Sequence, residues 1–117
     1  MLPAKNRMTR SAEFGATVKH GVRAVQADLV VHARQDPDRP DGPRIGLIVT
    51  KAVGTAVDRH RVSRRLRHAV RGVMAELDAA DRVVIRALPG SRDAAGERLR
   101  REVTVGVRRA RDLMGQR

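Results

Sequence analysis

Between Lys51 and Gly72 the chain sets seven basic side chains, Lys51, Arg59, Arg61, Arg64, Arg65, Arg67 and Arg71, against the single acid Asp58. Six of the seven are arginines. A guanidinium fork grips phosphate bidentately and stacks on bases, whereas an ammonium is a compact, strongly hydrated point charge. Such a block suits a nucleic-acid backbone, where it supplies position and salt-dependent affinity without reading sequence. Neutralising about six or seven phosphates gives a log–log salt slope of roughly −5 to −6, or about a 10³-fold loss of affinity for a fourfold rise in salt.

Covalent chemistry finds less support. No close pair of acids coincides with the arginine block to clamp a metal. His20, His32, His60 and His68 show no metal-ligand spacing and read singly as surface or packing residues. His60 and His68 are far enough apart that both could face RNA without sharing a ligand. With no Cys there is no disulfide, thiol or Cys-based zinc chemistry. Asp36, Asp38 and Asp41 lie in QDPDRPDGP, residues 35–43, but lack the later glycine and glutamate of a calcium loop, so this reads as a solvated connection. No protein side chain is named as catalytic or as a metal ligand.

Composition agrees with a binding role. The 117 residues carry a net charge of +12, and 41% are hydrophobic, enough for one modest core. The surplus is uneven: net +4 over 1–24, −1 over 25–50, +6 over 51–72 and +3 over 73–117. The densest charge therefore lies inside a segment with a folded pattern, not in a tail. A polyanionic partner is implied, nucleic acid first and an anionic membrane second, with general surface charge as the plain alternative. No apolar run approaches the roughly 18 residues of a membrane span. The opening MLPAKNRMTRSAEF lacks the apolar centre of a signal peptide, so cytoplasmic residence is expected.

The elements that must hold these groups are legible. Ser11 is expected to cap a short helix ending at Gly21, with Glu13 near its positive end and Phe14 and Val18 on one face. Residues 25–34 and 44–50 read as strands, with Leu29, Val31 and Ala33 facing one way and Val30, His32 and Arg34 the other. Gly54 permits a tight passage into a second helix, opened by the capping-box pair Thr55 and Asp58. Val62, Leu66, Ala69, Val70, Val73 and Leu77 form its core stripe, and the arginines lie mostly outside that stripe. Arg59 falls near the stripe's edge. Residues 82–88 read as another strand. A long helix from about Asp93 to Met114 follows, buried through Ala95, Leu99, Val103, Gly106, Val107, Ala110 and Met114. Gly106 costs about 1 kcal/mol of helix propensity unless close packing needs it. The result is one α+β domain, 1–117: a small single-layer sheet packed by helices, in the order α-β-β-(β)-α-β-α, with residues 45–88 a βαβ crossover candidate.

Known nucleic-acid modules fit poorly. A strand, not a recognition helix, follows the basic helix, which excludes a clear helix-turn-helix. There are no paired aromatics of an RRM and no GXXG loop of a KH domain. One Phe without Tyr or Trp cannot make a broad stacking platform.

One family does match. The stretch KAVGTAVDRHRVSRRLRHAVR, residues 51–71, resembles the protein subunit of bacterial ribonuclease P in its Gly54, Ala56, Val57, Arg59, Arg61, Arg64, Arg65 and Arg67. NRMTRSAEFGATVKHG, residues 6–21, is similar to that family's first helix and its approach, and the likeness covers nearly the whole chain. It implies a ribonucleoprotein endonuclease that removes the 5′ leader of precursor tRNA. Its RNA performs the hydrolysis with Mg2+, and the protein binds both the catalytic RNA and the leader. It also implies a left-handed crossover, where general statistics favour the right-handed form. Carried onto this chain, Arg59, His60, Arg61, Arg64, Arg65 and Arg67 are the candidates for contact with ribonuclease P RNA. Phe14 and Val18, with Lys5 or Arg7 nearby, are the candidates for the leader in a cleft between first helix and sheet. Thr55 and His60 stand where the family commonly has Asn, Ser63 where Lys is common and His68 where Glu is frequent. Val18 occupies a position that is often aromatic, which reduces stacking. The resemblance implies ribonuclease P RNA and precursor tRNA as partners, with no membrane and no obligate protein partner. The alternatives are a non-catalytic RNA-binding or ribosome-associated protein and a self-sufficient metallonuclease.

Overall fold

The computed structural model describes residues 2–115. Helix α1 (Ser11–His20) precedes strands β1 (Val22–Val25), β2 (Leu29–Gln35) and β3 (Arg44–Ile48). Helix α2 (Ala56–Arg71), strand β4 (Asp81–Ala87) and helix α3 (Gly96–Gly115) complete the order. The strands form one sheet in the order β1-β2-β4-β3, with β1–β2 and β2–β4 antiparallel and β3–β4 parallel. The α+β expectation holds, with three strands between α1 and α2.

Strand alternation sorts the sheet into two faces. Val22–Ala33–Val83–Ile45 and Ala24–Val31–Ile85–Leu47 are cross-strand rows on one face. They pack with Val62, Leu66 and Val70 of α2 and with Leu99, Val103 and Val107 of α3 into the core. The opposite face carries the rows Arg34–Arg82–Arg44, Arg23–His32–Val84–Gly46 and Val25–Val30–Arg86–Ile48. Gly106 is the close-packing case: a Cβ there would lie 2.6 Å from Val31 Cγ2, so the missing side chain lets α3 lie down on β2.

Three arginines side by side in one row would repel, and α1 supplies the answer. Glu13 reaches Arg44 at 3.0 Å and Arg82 at 3.4 Å, and Thr17 Oγ1 accepts from Arg34 Nε at 3.2 Å. Helix α1 therefore covers the second face, opposite α2 and α3. Arg82 is 0% exposed. Its guanidinium also donates to the carbonyls of Arg39 (2.6 Å) and Gly42 (3.2 Å) and meets Asp41 at 3.2 Å.

Four expectations need correction. The strand expected over 25–34 is a hairpin, turned at Gln26, Ala27 and Asp28. Gln26 N–H closes it on Leu29 O at 2.8 Å, and Glu102 of α3 accepts from Asp28 N–H at 2.7 Å. Ser11 is the first helical residue and not the cap; Arg10 precedes it in extended conformation without a side-chain cap bond. Helix α2 stops at Arg71, so Leu77 lies beyond a short 3-10 turn over Met74–Glu76, while Val73 stays buried. Helix α3 begins at Gly96 because Pro89–Asp93 forms its own 3-10 turn, which leaves Ala95 exposed.

Candidate nucleic-acid interface

Helix α2 starts as its sequence dictates. Gly54 has φ 151°, which L side chains rarely adopt, and it turns the chain after β3. Thr55 Oγ1 accepts from Asp58 N–H at 3.2 Å, and Asp58 accepts from Thr55 N–H at 2.9 Å, closing the capping box. The bond from Thr55 N–H, then that from the Thr55 hydroxyl, then the nearby Arg61 hold the Asp58 carboxyl below its ordinary pKa. Asp58 also meets Arg61 at 3.0 Å, so the lone acid of the block both caps the helix and fixes one arginine.

The six candidates on α2 divide into three places. His60, Arg61, Arg64 and Arg67 line one hollow of about 410 Å³ with the exposed Val57. Arg59 shares a second with His60, Ser63, Ala56 and Val49, and its Nε is buried without a hydrogen-bond partner among the described residues. Arg65 turns toward α3. Its Nη1 donates to Ala94 O at 2.8 Å, and with Arg64, His68 and Arg100 it borders a groove at the start of α3. Arg65 lies outside the core stripe, as expected of most of these arginines, but is half-buried and tied to the turn before α3. Arg100 is a cation beside this surface that the α2 pattern could not reveal.

Phe14 and Val18 lie on the other side of the sheet, both half-buried. The Phe14 ring occupies the space a side chain at Gly46 would take, so this glycine is the aromatic's seat. Farther along the same face, His32 is 3% exposed, with neither ring nitrogen hydrogen-bonded among the described residues. Burial, then Arg86, then Arg23 lower its pKa from the ordinary 6.5. Arg86 Nε is likewise buried without a hydrogen-bond partner among the described residues. Reading the residues singly missed this Arg23–His32–Arg86 group. The signal lay in the alternation of β2, which set His32 on the face away from the core.

Lys5 and Arg7 lie in the segment that leads into α1. Both line a hollow of about 240 Å³ with Arg10, Glu13, Arg39 and Arg44, at the end of the face where α1 begins. Arg7 bridges to Ile45 at the outer edge of β3, and Met8 N–H donates to Ile45 O at 2.9 Å. Arg10, Arg39 and Arg44 were not singled out by sequence.

Among the described residues no group of three or more His, Asp or Glu could hold a metal ion. Glu13 and Asp41 are committed to arginines, Asp58 to Thr55 and Arg61. No described helix is long and apolar enough to cross a membrane.

A single mixed sheet with a capped, arginine-rich helix across one face and an aromatic seated on the other defines a class of small basic α+β proteins that take a polyanion as partner. Residues 2–111 match the ribonuclease P family. The chain is 62% identical over 112 residues to the ribonuclease P protein component of Mycobacterium avium (strain 104), covering 93% of this chain and 94% of that one. It is 60% identical over 116 residues to that of Mycolicibacterium vanbaalenii, covering 98% of each. The fold is similar to the RNase P protein of Staphylococcus aureus, with a TM-score of 0.80 at 21% identity over 90% of this chain and 94% of that one. This chain belongs to the ribonuclease P protein component family, the protein part of a ribonucleoprotein of tRNA processing. Association with ribonuclease P RNA follows from that membership.

Proposed function

We propose that the chain assembles with ribonuclease P RNA through α2, receives the 5′ leader of precursor tRNA on the opposite face of its sheet, and leaves phosphodiester hydrolysis to the RNA. The observation that carries this reading is the two-sided layout. The arginines of α2 and the seat of Phe14 lie on opposite faces of one sheet, so one small protein can touch two RNA segments at once.

Each group has a physical task in this scheme. Arg59, Arg61, Arg64 and Arg67 neutralise phosphates that would otherwise repel as the catalytic RNA folds, and His60 adds a hydrogen bond. Arg65 keeps α2 and α3 in register and so positions its neighbours. Phe14, held by Gly46, gives one base a surface, and Val18 extends it with apolar area but no ring for stacking. Arg23 and Arg86, the arginines beside the buried His32, offer charge to a strand lying across the sheet. Mg2+ belongs to the RNA in this reading, as the family resemblance implies, while Glu13 and Asp41 serve arginines and Asp58 serves Thr55 and Arg61.

The test is cleavage of a precursor tRNA by the protein alone, by its ribonuclease P RNA alone at modest magnesium, and by both together. The pair should cut well where neither component does so alone. Activity in protein freed of RNA would favour a self-sufficient nuclease. Co-purifying RNA that yields no mature 5′ end in the pair would favour a non-catalytic or ribosome-associated role.

A further inference from the structure

We propose that Lys5, Arg7, Arg10, Arg39 and Arg44 form a phosphate cradle that holds the precursor leader beyond the stretch lying against Phe14. This rests on the leader-binding reading above and extends its site.

The hollow is built from two walls fixed by separate contacts. Residues 4–10 run beside β3: Arg7 bridges to Ile45, and Asn6 Nδ2 donates to Pro43 O at 2.8 Å. The loop between β2 and β3 brings Arg39. Its carbonyl accepts from the wholly buried Arg82 at 2.6 Å, and Asp41 is held by Arg82 at 3.2 Å and by Arg44 at 2.7 Å. A buried arginine is thus spent on the loop that presents an exposed one.

Charge balance points to a ligand. Among the described residues Glu13 is the only acid lining the hollow, and it already serves Arg44 at 3.0 Å and Arg82 at 3.4 Å. Lys5, Arg7, Arg10 and Arg39 have no ion-pair partner among the described residues. Converging cations held on braced walls repel one another until an anion lies between them, and a phosphodiester meets that need. Location selects the strand. Glu13, on the rim, adjoins Phe14, so an RNA lying on that aromatic reaches the hollow directly. The arginines of α2 lie on a helix packed against the other face of the sheet. The cradle is therefore an RNA contact separate from the α2 surface.

The experiment uses the holoenzyme reconstituted from the chain and ribonuclease P RNA, with precursor tRNAs carrying leaders of graded length and with mature tRNA. Arg10→Ala and Arg39→Ala, both at exposed positions, are combined, and a thermal melt checks that the variant folds. Loss of two single-strand phosphate contacts flattens the salt slope of precursor binding by about 1.4, so the wild-type advantage shrinks about sevenfold between 50 and 200 mM salt. The loss should appear only once the leader is long enough to pass Phe14, and Arg10→Lys with Arg39→Lys should restore most of it. An equal loss at every leader length, a weakened assembly with ribonuclease P RNA, or no loss at all overturns the cradle. If the wild-type holoenzyme binds precursor no better than mature tRNA, the leader-binding reading itself falls, and the cradle with it.

Discussion

Arg64 and Arg65 are neighbours in sequence with opposite fates, and the reading of α2 stands or falls on separating them. Arg64 is exposed and, like the half-buried Arg67, pairs with no acid among the described residues. Replacing both with Ala removes two phosphate contacts and flattens the salt slope of RNA assembly by about 1.8, taking the duplex value of roughly 0.9 per contact. Between 50 and 200 mM salt the variant should lose about twelvefold less affinity than wild type. Its melting should stay within about 0.5 kcal/mol of wild type, as for surface changes away from structural contacts. Arg65→Ala should do the reverse. It deletes a charged hydrogen bond to the carbonyl of the buried Ala94, worth about 1.5–3 kcal/mol. That lowers the melting temperature by about 5–15 °C in a domain of this size. Filter binding over a salt series and calorimetric melting of both variants read the two effects. If the Arg64 and Arg67 double variant melts as early as the Arg65 variant, or keeps the wild-type slope, the exposed arginines of α2 are not the phosphate contacts.

Phe14→Ala should weaken precursor binding by the equivalent of about 1–3 kcal/mol for one lost stacked base, with mature tRNA unaffected. Equal weakening of both substrates in a direct binding assay would place Phe14 outside the leader site. Arg82→Met strands Asp41 and Glu13 with Arg44 alone and empties the loop carbonyls of their donor, so it should cost about 3–5 kcal/mol in denaturant melts. A cost below about 1 kcal/mol would mean that the network is not what holds the loop. His32 has a folded-state pKa below the ordinary 6.5, so the unfolded chain binds its proton first as pH falls. Stability should therefore drop on acidification from about 6.5 toward the folded value, and His32→Gln should remove that part of the slope. An unchanged slope across that window would show that His32 is not the group responsible.

Where sequence spoke through local chemistry, it was read well. The Thr55–Asp58 capping box, the stripe from Val62 to Val70 and the alternation of Leu29, Val31 and Ala33 are each set by residues a few positions apart. They survive into the fold unchanged. The hairpin turn at residues 26–28 was missed because it contains no Gly or Pro. It is held by Glu102, 74 residues away, which takes Asp28 N–H while Arg98 meets the Asp28 carboxylate at 2.8 Å. The end of α2 was missed for a related reason: Val73 continues the apolar period after the backbone has left the helix, because the core still wants a side chain there.

The site divides along the same line. That α2 carries arginines outside its core stripe needed only a helical period, but which of them is free depended on where α3 begins. Arg65 is drawn to Ala94, a contact across 29 positions that no spacing within α2 encodes. On the second face the decisive residue is Arg82, which a strand pattern reads as an outward-facing charge. Its neighbours across the sheet, Arg34 and Arg44, make that charge untenable until Glu13 descends from α1 and Asp41 from the loop. The same repulsion thus docks α1, seats Phe14 above Gly46 and fixes the loop that carries Arg39. A row of like charges within a sheet is in this chain what draws α1 and the loop onto the second face, and the acids that neutralise it decide which arginines stay unpaired among the described residues.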